Sequence, residues 1–275
     1  MTEINKKIEK IILPSYFMPK FRTQLIRLGK NYDGGYLVPI KSIENTNVLL
    51  SFGLNDDFSF EEDFSKKKDI NIYCYDNSVN WKFWIKKFIS DIKNLFLFRI
   101  KKNDLEHIFI YLKYLFFFNS KKKTHYKKFI APKGTKIPGV NGNDITDLNE
   151  IFSEKNINNV FLKIDIEGSE YRILDQIIKY QSSIEGLVIE FHECDINKDL
   201  IKKFINNFDL KITHLHVNNW SLVNPQNFPS SIEFTFSPKN YCKTENYVSL
   251  SLPLDLDQPC NPSSKDIPVE FIEME

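Results

Sequence analysis

Residues 161–170, Phe-Leu-Lys-Ile-Asp-Ile-Glu-Gly-Ser-Glu, decide the fold of this chain. The apolar run over residues 160–164 predicts a buried strand of a parallel sheet. Gly168 lets the backbone turn, and apolar residues then recur at helical spacing over residues 169–180. A buried strand that turns directly into a helix predicts an α/β architecture.

Two carboxylates, Asp165 and Glu167, stand at the carboxyl end of this strand. In open α/β sheets, ligands bind at that edge. Unpaired charge is costly to bury, so we expect both carboxylates to face a cofactor, a metal or a reacting group. The stretch therefore predicts an enzyme.

Other segments of the chain repeat the pattern of a buried strand. Four more segments predict buried strands, and three segments near the C-terminus alternate as antiparallel strands do. The buried strands are predicted over residues 48–52, 70–75, 124–130 and 186–191, and the alternating strands over residues 211–217, 231–236 and 247–252. Their order predicts a doubly wound, mainly parallel sheet with antiparallel C-terminal strands.

The sequence pattern divides the chain into three parts. Residues 1–45 hold a helix, predicted over residues 4–12, and a tight hairpin at Asp33-Gly34-Gly35. Residues 46–255 form the main domain, with a helical, aromatic insertion over residues 80–120. Dense aromatic residues at helical spacing favour first an interface between copies of the chain and second a lid over the substrate. Residues 256–275 are rich in Asp, Pro and Ser, so we expect a poorly packed tail.

Composition narrows the classes of function. The chain has 275 residues and a formal net charge of +1, whereas a general nucleic-acid binder is strongly basic. Its four cysteines follow no metal-binding spacing and fit a reducing compartment. No apolar stretch is long enough to cross a bilayer, and the N-terminus has no signal-peptide core. We therefore expect a cytoplasmic protein with neither nucleic acid nor a membrane as partner.

The turns after the first two strands indicate a nucleoside ligand. The first turn carries one glycine, Gly53, where a dinucleotide fingerprint has three, which favours a smaller cationic or zwitterionic ligand. Asp76 ends the second strand, where an acid typically binds ribose hydroxyls. The alternative is that Asp76 and Asn77 only cap the next helix. Taken together with the first turn, ribose binding is favoured.

Several blocks of the sequence match one protein family, in the family's order. The most specific block is Asp165-Ile166-Glu167-Gly168-Ser169-Glu170. The weaker blocks are Arg27-Leu28-Gly29, Asp33-Gly34-Gly35-Tyr36, Ser51-Phe52-Gly53-Leu54-Asn55-Asp56, Tyr75-Asp76, Glu190-Phe191-His192 and His216-Val217-Asn218-Asn219. Through these blocks the chain resembles the FkbM-like family of S-adenosylmethionine-dependent methyltransferases. The resemblance implies a class I, Rossmann-like methyltransferase fold and O-methylation, most often of sugars or other secondary metabolites.

The resemblance also implies cofactor-binding residues. Phe52, Gly53 and Asn55 would hold the methionine part of S-adenosylmethionine, and Asp76 with Asn77 would hold its ribose. Asp144, or its neighbour Asn143, would approach the adenine. Tyr32 and Gly34 would close over the amino-acid part, although a purely structural hairpin is as well supported.

A sugar hydroxyl is a poor nucleophile at neutral pH and needs a positioned base or a metal. Glu190 and His192 share one face of their predicted strand, and His192 is the best candidate for the base because imidazole titrates near neutral pH. The alternative is a histidine that is merely satisfied within the core. Asp165, Glu190 and His192 are also candidate ligands for Mg²⁺ or Mn²⁺, although acids near a sulfonium can act by electrostatics alone.

His216, Asn219 and Glu167 are the candidate substrate contacts, although His216 could instead line the sheet edge. We expect an O-methyltransferase that acts on a sugar hydroxyl, of a nucleotide-activated sugar for a bacterial capsular or surface polysaccharide. The alternatives are methylation of another small metabolite and a non-catalytic module that binds an adenosine ligand. The aromatic insertion is the predicted surface for a homo-oligomer.

Overall fold

The computed structural model of the protein describes residues 10–96, 106–221, 223–244 and 251–273. Its strands are β1 (Ile11–Pro14), β2 (Phe21–Arg22), β3 (Leu25–Leu28), β4 (Tyr36–Pro39), β5 (Val48–Phe52), β6 (Asn71–Tyr75), β7 (Lys123–Tyr126), β8 (Phe129–Ile130), β9 (Ile145–Thr146), β10 (Val160–Ile164), β11 (Ile184–His192), β12 (Lys211–Val217), β13 (Ser231–Ser237), β14 (Lys243–Thr244) and β15 (Val269–Ile272). Its α-helices are α1 (Ile40–Asn45), α2 (Ser59–Lys67), α3 (Trp81–Phe96), α4 (Glu106–Phe118), α5 (Leu148–Lys155), α6 (Leu174–Lys179) and α7 (Cys194–Asn207).

A seven-stranded sheet in the order β12-β13-β11-β10-β5-β6-β7 organises the molecule. The chain enters at β5 in the middle, moves outward to β6 and β7, and then returns to β10 on the other side of β5. The five strands from β11 to β7 are parallel, and β13 runs antiparallel to both β11 and β12. The predicted doubly wound, Rossmann-like sheet with antiparallel C-terminal strands is confirmed.

Alternating side chains of the central strands supply two apolar layers, one on each face of the sheet. Leu162 and Ile189 belong to one cluster of buried residues, whereas Phe161 and Val188 belong to the other. All five residues of β10 are buried. Burial on both faces explains why the central strands appear in the sequence as nearly continuous apolar runs.

Two predictions for the N-terminal part need correction. Ile11 and Ile12 lie in β1, which pairs in parallel with β15, and not in the predicted helix over residues 4–12; residues 4–9 of that prediction lie outside the described residues. Pairing with a distant strand overrides the local helical pattern here. The hairpin of β3 and β4 is present, but the pairing of Leu28 with Tyr36 leaves a wide loop over residues 29–35 in place of a tight turn.

The expectation of a poorly packed C-terminal tail is wrong. Cys260, Ile267 and Val269 are buried, and β15 pairs with β1. These apolar residues are spaced widely between Asp, Pro and Ser, so composition alone hides them. Most of the strand predicted over residues 247–252 lies outside the described residues, and Leu252 forms a single bridge with Val269.

The predicted insertion is helical where the structure describes it, as the pair α3 and α4. Trp84 and Phe88 of α3 pack against Tyr111 of α4, with ring centroids 5.0 Å and 5.4 Å apart. The segment predicted as one strand over residues 124–130 is divided between β7, in the central sheet, and β8, which pairs with β9. Within the described residues, no helix has the length and apolar character needed to cross a membrane.

Candidate active site

A cavity of 1110 Å³ opens at the carboxyl ends of β5, β6, β10 and β11. The order of the sheet reverses between β5 and β10, and this switch point is where doubly wound sheets bind ligands. Gly53, Asp76, Asp165 and His192 all line the cavity. The structure therefore brings five of the eight predicted cofactor residues and all three predicted catalytic residues to one space.

Gly53 allows the ends of β5 and β10 to approach each other closely. Its φ is +85°, and a Cβ atom at this position would lie 1.6 Å from the carbonyl oxygen of Asp165. The backbone N–H of Asp165 donates to the carbonyl of Phe52 at 2.9 Å. Only glycine fits this junction without moving the strand end that carries Asp165.

The carboxylate of Asp76 ties the loop after β5 to the loop after β6. One oxygen accepts the N–H groups of Leu54 and Asn55, and the other accepts the N–H and the hydroxyl of Ser78 at 2.7 Å and 2.6 Å. Burial alone raises the pKa of Asp76, but the hydrogen bonds from Ser78, Leu54 and Asn55 outweigh it and lower the pKa. Asp76 is a charged carboxylate that both organises the first loop and faces the cavity.

Three predicted catalytic side chains meet at the ends of β10 and β11. His192 Nε2 lies 3.9 Å from Asp165 Oδ1 and 3.9 Å from Glu190 Oε1. One ligand atom from each of these three residues lies within 4.8 Å of the other two, so the set has the compactness of a metal-binding group. Glu167 Oε2 lies 3.5 Å from the same nitrogen on an exposed side chain.

A fourth carboxylate, Glu170, fixes the orientation of the imidazole. His192 Nδ1 lies 2.9 Å from Oε1 of Glu170, which is fully buried and also accepts the N–H groups of Ile166 and Gly168. A carboxylate that accepts from Nδ1–H leaves Nε2 as the free nitrogen, available to take a proton or to ligate a metal. The turn after β10 therefore supplies Asp165 and Glu167 to the site and, through Glu170, orients the imidazole of His192.

The pKa of His192 differs from the expectation of an imidazole that titrates near neutral pH. Partial burial by itself lowers the pKa of His192, but the hydrogen bond to Glu170 and the charges of Glu190, Glu170 and Asp165 raise it well above its usual range. Before a cationic ligand binds, the imidazole is therefore protonated at neutral pH. A positive charge placed among these carboxylates opposes that proton and lowers the pKa of His192.

Glu190 is buried and held by neighbours that the sequence pattern did not indicate. Its Oε1 accepts the side-chain amide of Asn218 at 2.9 Å and the hydroxyl of Ser231. Burial, followed by the nearby charges of Asp165 and Glu233, raises the pKa of Glu190. Glu190 and His192 consequently share protons as one unit.

A buried cation, Lys163, balances part of this negative charge. Its Nζ donates to the carbonyl of Gly53 at 2.7 Å and lies 3.8 Å from Asp165 Oδ2. Burial alone lowers the pKa of Lys163, but the charges of Asp165 and Glu61 raise it, so the side chain stays charged. Tyr36 of β4 adds a hydroxyl that donates to Asp165 Oδ2 at 3.2 Å.

The cavity as a whole is acidic. Its lining includes nine carboxyl side chains (Asp33, Asp56, Asp57, Glu61, Asp76, Asp165, Glu167, Glu190 and Glu193) against three lysines (Lys30, Lys128 and Lys163). Such a lining attracts cations. The residues present therefore fit a ligand such as S-adenosylmethionine, whose sulfur carries a positive charge, and they also fit a divalent metal ion.

Five predicted site residues lie outside the lining of the cavity. Phe52 is fully buried in the core, Tyr32 is exposed with its carbonyl bound by Arg27, and Asp144 is exposed in a short 3-10 helix. His216 lies on β12, separated from β11 by β13, and it contacts Glu233 and Asp266. Asn219 bonds Asn261, and its neighbour Asn218 faces the cavity instead.

The cavity is lined by the other nine predicted residues: Gly34, Gly53, Asn55, Asp76, Asn77, Asp165, Glu167, Glu190 and His192. Sequence reasoning missed the contributions of Lys163, Glu170, Asn218 and Ser231. A lone lysine inside an apolar strand was a usable signal for Lys163. Ser231 gave no local signal, because only the antiparallel pairing of β13 brings it to β11. Asn218 stands in one of the blocks that match the family, but its neighbour Asn219 was predicted in its place.

No protein-family model matches this chain, and no curated protein matches it, so the FkbM-like resemblance stays a prediction. Solved structures with similarity include the precorrin-6y C5,15-methyltransferase of Geobacter metallireducens (12% identity, 71% of this chain and 83% of that one, TM-score 0.34). Others are an rRNA methylase of Streptococcus thermophilus (9%, 72% and 92%, TM-score 0.34) and TYW2 of M. jannaschii in complex with AdoMet (9%, 78% and 88%, TM-score 0.35). Similarity this low carries no argument about function, which has to come from the site itself.

Proposed function

We propose that this protein is an S-adenosylmethionine-dependent O-methyltransferase that acts on a sugar hydroxyl. One observation carries the proposal: a single cavity is lined both by Gly53 and Asp76, in the loops after β5 and β6, and by the cluster of Asp165, Glu190 and His192. The two loops supply a carboxylate and backbone groups for a nucleoside. The cluster supplies negative charge for a cationic donor and a nitrogen for a proton.

Gly53, Asn55 and Asp76 are the residues that would hold the cofactor, with Asn77 and Gly34 at the rim. The acceptor sites of Asp76 are filled by two N–H groups of its neighbouring loop and by Ser78, so a ribose hydroxyl has to take the place of the Ser78 hydroxyl. When bound, S-adenosylmethionine supplies a methyl group on a positively charged sulfur.

Residues of this chain would remove the proton of the acceptor hydroxyl. His192 Nε2 accepts it from the attacking hydroxyl, while Glu170 holds the ring through Nδ1. Asp165 and Glu190 stabilise the imidazolium that results. The raised pKa of His192 keeps the imidazole protonated before a ligand enters, and entry of the cationic donor favours the neutral base.

The close approach of Asp165, Glu190 and His192 also supports a metal-dependent variant of this mechanism. Asp165, Glu190 and His192 would hold Mg²⁺ or Mn²⁺, and Glu170 would act as the outer carboxylate that orients the histidine ligand. A bound divalent ion lowers the pKa of a coordinated hydroxyl. Measurement of turnover with and without chelator separates the two variants.

The proposed acceptor is the sugar of a nucleotide-activated sugar for a surface polysaccharide. The acidic floor suits a neutral sugar. Phosphate groups would have to bind at Lys128 or at Lys30, whose Nζ pairs with Asp57 Oδ2 at 3.1 Å. A matched pair of acceptors, the nucleotide-sugar and the same free sugar, tests this assignment. Equal rates of methyl transfer to both acceptors would show that the enzyme does not recognise the nucleotide part.

Binding and turnover test the function directly. We expect calorimetry to detect S-adenosylmethionine binding that Asp76→Asn abolishes and Ser78→Ala preserves, because only the first removes the carboxylate. In assays with labelled cofactor and a panel of nucleotide-sugars, His192→Gln should lower kcat by about 10² or more, whereas Lys198→Gln on exposed α7 should not. Absence of binding under all conditions, or full transfer by His192→Gln, contradicts the proposal.

A further inference from the structure

The helical pair α3–α4 exposes an unusually large set of apolar side chains. On α3, Trp81, Ile85, Ile89 and Ile92 recur at helical spacing, and they are 64%, 44%, 58% and 51% exposed. On α4, Ile108, Phe109, Leu112, Leu115 and Phe116 are also exposed, Phe116 by 85%. We call these nine side chains the apolar face. Exposed apolar side chains concentrated on two paired helices are typical of an interaction site.

The apolar face is not left over from poor packing, since the inward side of each helix is well filled. Trp84 is buried against Tyr111 and Tyr114 of α4, with ring centroids 5.0 Å and 5.3 Å away. Asp91, the single acid of α3, also points inward and contacts His107 Nδ1 at 2.6 Å. Both helices are therefore fixed in orientation, with their apolar residues directed outward.

The exposed charges on the described side chains of α3 and α4 all have one sign. Lys82, Lys86, Lys93 and Lys113 are the exposed charged residues among the described side chains of the two helices, 81–93 and 107–118. No carboxylate is exposed within that same set. An apolar helix face bordered by lysines, with a tryptophan at one end, is the pattern of helices that lie in the surface of an anionic bilayer.

The same charges argue against a second copy of the chain as the occupant. A two-fold interface brings identical patches together, so the lysines of one face would meet those of the other. Like charges juxtaposed in an interface cost several kcal/mol, and no exposed acid among the described side chains of α3 and α4 compensates them. Phospholipid headgroups with negative charge provide the missing counter-ions.

We infer that the apolar face of α3–α4 binds the surface of an anionic lipid membrane, with its apolar side chains in the interface and its lysines at the headgroups. This reverses the expectation of no membrane partner, which considered only spanning segments. The helices also border the cavity, because Asp56 lines it and contacts Lys87 of α3 at 2.5 Å. Docking through this face brings the rim of the active site close to the bilayer.

Sedimentation with vesicles tests the inference on the full chain, without cofactor or acceptor. The protein should sediment with vesicles that contain phosphatidylglycerol and not with pure phosphatidylcholine, and higher salt should weaken the binding. Ile89→Asp and Phe116→Asp should each lower the partition coefficient by about tenfold or more, since each removes apolar burial. Lys86→Glu should lower it by about 30-fold, because the charge changes by two units at about 1 kcal/mol each.

Matched controls lie on α7, which also exposes an apolar residue and lysines. Ile196→Asp, at a residue 73% exposed, and Lys203→Glu should leave vesicle binding unchanged. Circular dichroism of each variant should show an intact fold, because every substituted side chain is exposed. Lack of sedimentation with anionic vesicles, or equal loss in the α7 variants, overturns the inference.

Light scattering separates the membrane from the second copy. We expect a monomer in solution both for the natural chain and for Ile89→Asp. A dimer that Ile89→Asp dissociates would assign the face to self-association and overturn the inference. Methyl transfer to a soluble acceptor does not enter this test, so the membrane inference and the proposed activity can fail separately.

Discussion

At the scale of single residues, the arrangement around His192 depends most on Glu170. This carboxylate is fully buried, its Oε1 receives His192 Nδ1 and two backbone N–H groups, and its Oε2 has no hydrogen-bond partner among the described residues. It is out of contact with the cavity and therefore acts as a positioning residue. Its negative charge is also one cause of the raised pKa of His192.

The variant Glu170→Gln keeps the shape and the acceptor oxygen but removes the charge. Activity that requires neutral His192 should rise with pH through a midpoint above 7 in the natural enzyme, because the folded pKa of His192 is raised. Glu170→Gln should move this midpoint down by about 1–3 pH units. The measurement is kcat/KM against pH, together with an NMR titration of His192 in the free enzyme.

A lower rate with an unmoved midpoint, in both the kinetic and the NMR titration, would show that Glu170 only supports the fold. Asp175→Asn on α6 is a suitable control, because it removes an exposed acid five residues further along the chain. That control should change neither the rate nor the midpoint.

At the scale of elements, the central strands of the sheet were predictable from the sequence, whereas the pairing partners of the outer and terminal segments were not. Strands β5, β10 and β11 follow from apolar runs, and the acids at their ends follow from the sequence as well. The order of the strands depends on pairing between distant segments, which the local sequence pattern does not contain. The position of β13 between His216 and the cavity could therefore not be predicted. The Asp-, Pro- and Ser-rich C-terminal segment was misjudged for the same reason, since its apolar residues find partners far away in the chain.

The C-terminal segment, residues 251–273, is attached to β12 by two histidine–carboxylate pairs, one buried and one partly buried. His214 Nε2 lies 3.0 Å from Asp257, and His216 Nε2 lies 3.0 Å from Asp266. Burial by itself lowers the pKa of His216, but the hydrogen bonds with Asp266, Cys260 and Glu233 raise it well above its usual range. A histidine whose folded pKa is raised stabilises the protein below its unfolded pKa, near 6.5, and loses that contribution as pH rises through the folded value.

Asp266→Asn should therefore destabilise the attachment by about 1.5–3 kcal/mol near pH 6, because a hydrogen bond to a charged group is weakened. The loss should diminish towards alkaline pH, where His216 is neutral in either protein. Hydrogen exchange and limited proteolysis of residues 251–273 measure the effect. Asp255→Asn, at an exposed site in the same segment, should have none. A loss that grows with pH would contradict the assignment of charge to His216.

At the scale of the whole molecule, the cavity lies where the two halves of the doubly wound sheet meet. Gly53 and Asp76 belong to the half that contains β5 and β6, whereas Asp165, Glu190 and His192 belong to the half that contains β10 and β11. Backbone bonds such as that from Asp165 to Phe52 join the halves at the floor of the cavity. A ligand that contacts both sides adds a second connection above this floor.

Binding of S-adenosylmethionine should consequently stabilise the fold as one unit. At a concentration about 100 times its Kd, a ligand adds about 2.7 kcal/mol to the free energy of unfolding. For a chain of this size, each kcal/mol raises Tm by about 2–4 °C, so we expect an increase of about 5–10 °C in a single cooperative transition. Scanning calorimetry of the natural chain, Asp76→Asn and Ser78→Ala measures it. The increase should disappear in Asp76→Asn and persist in Ser78→Ala; an equal increase in Asp76→Asn would mean that the ligand binds elsewhere.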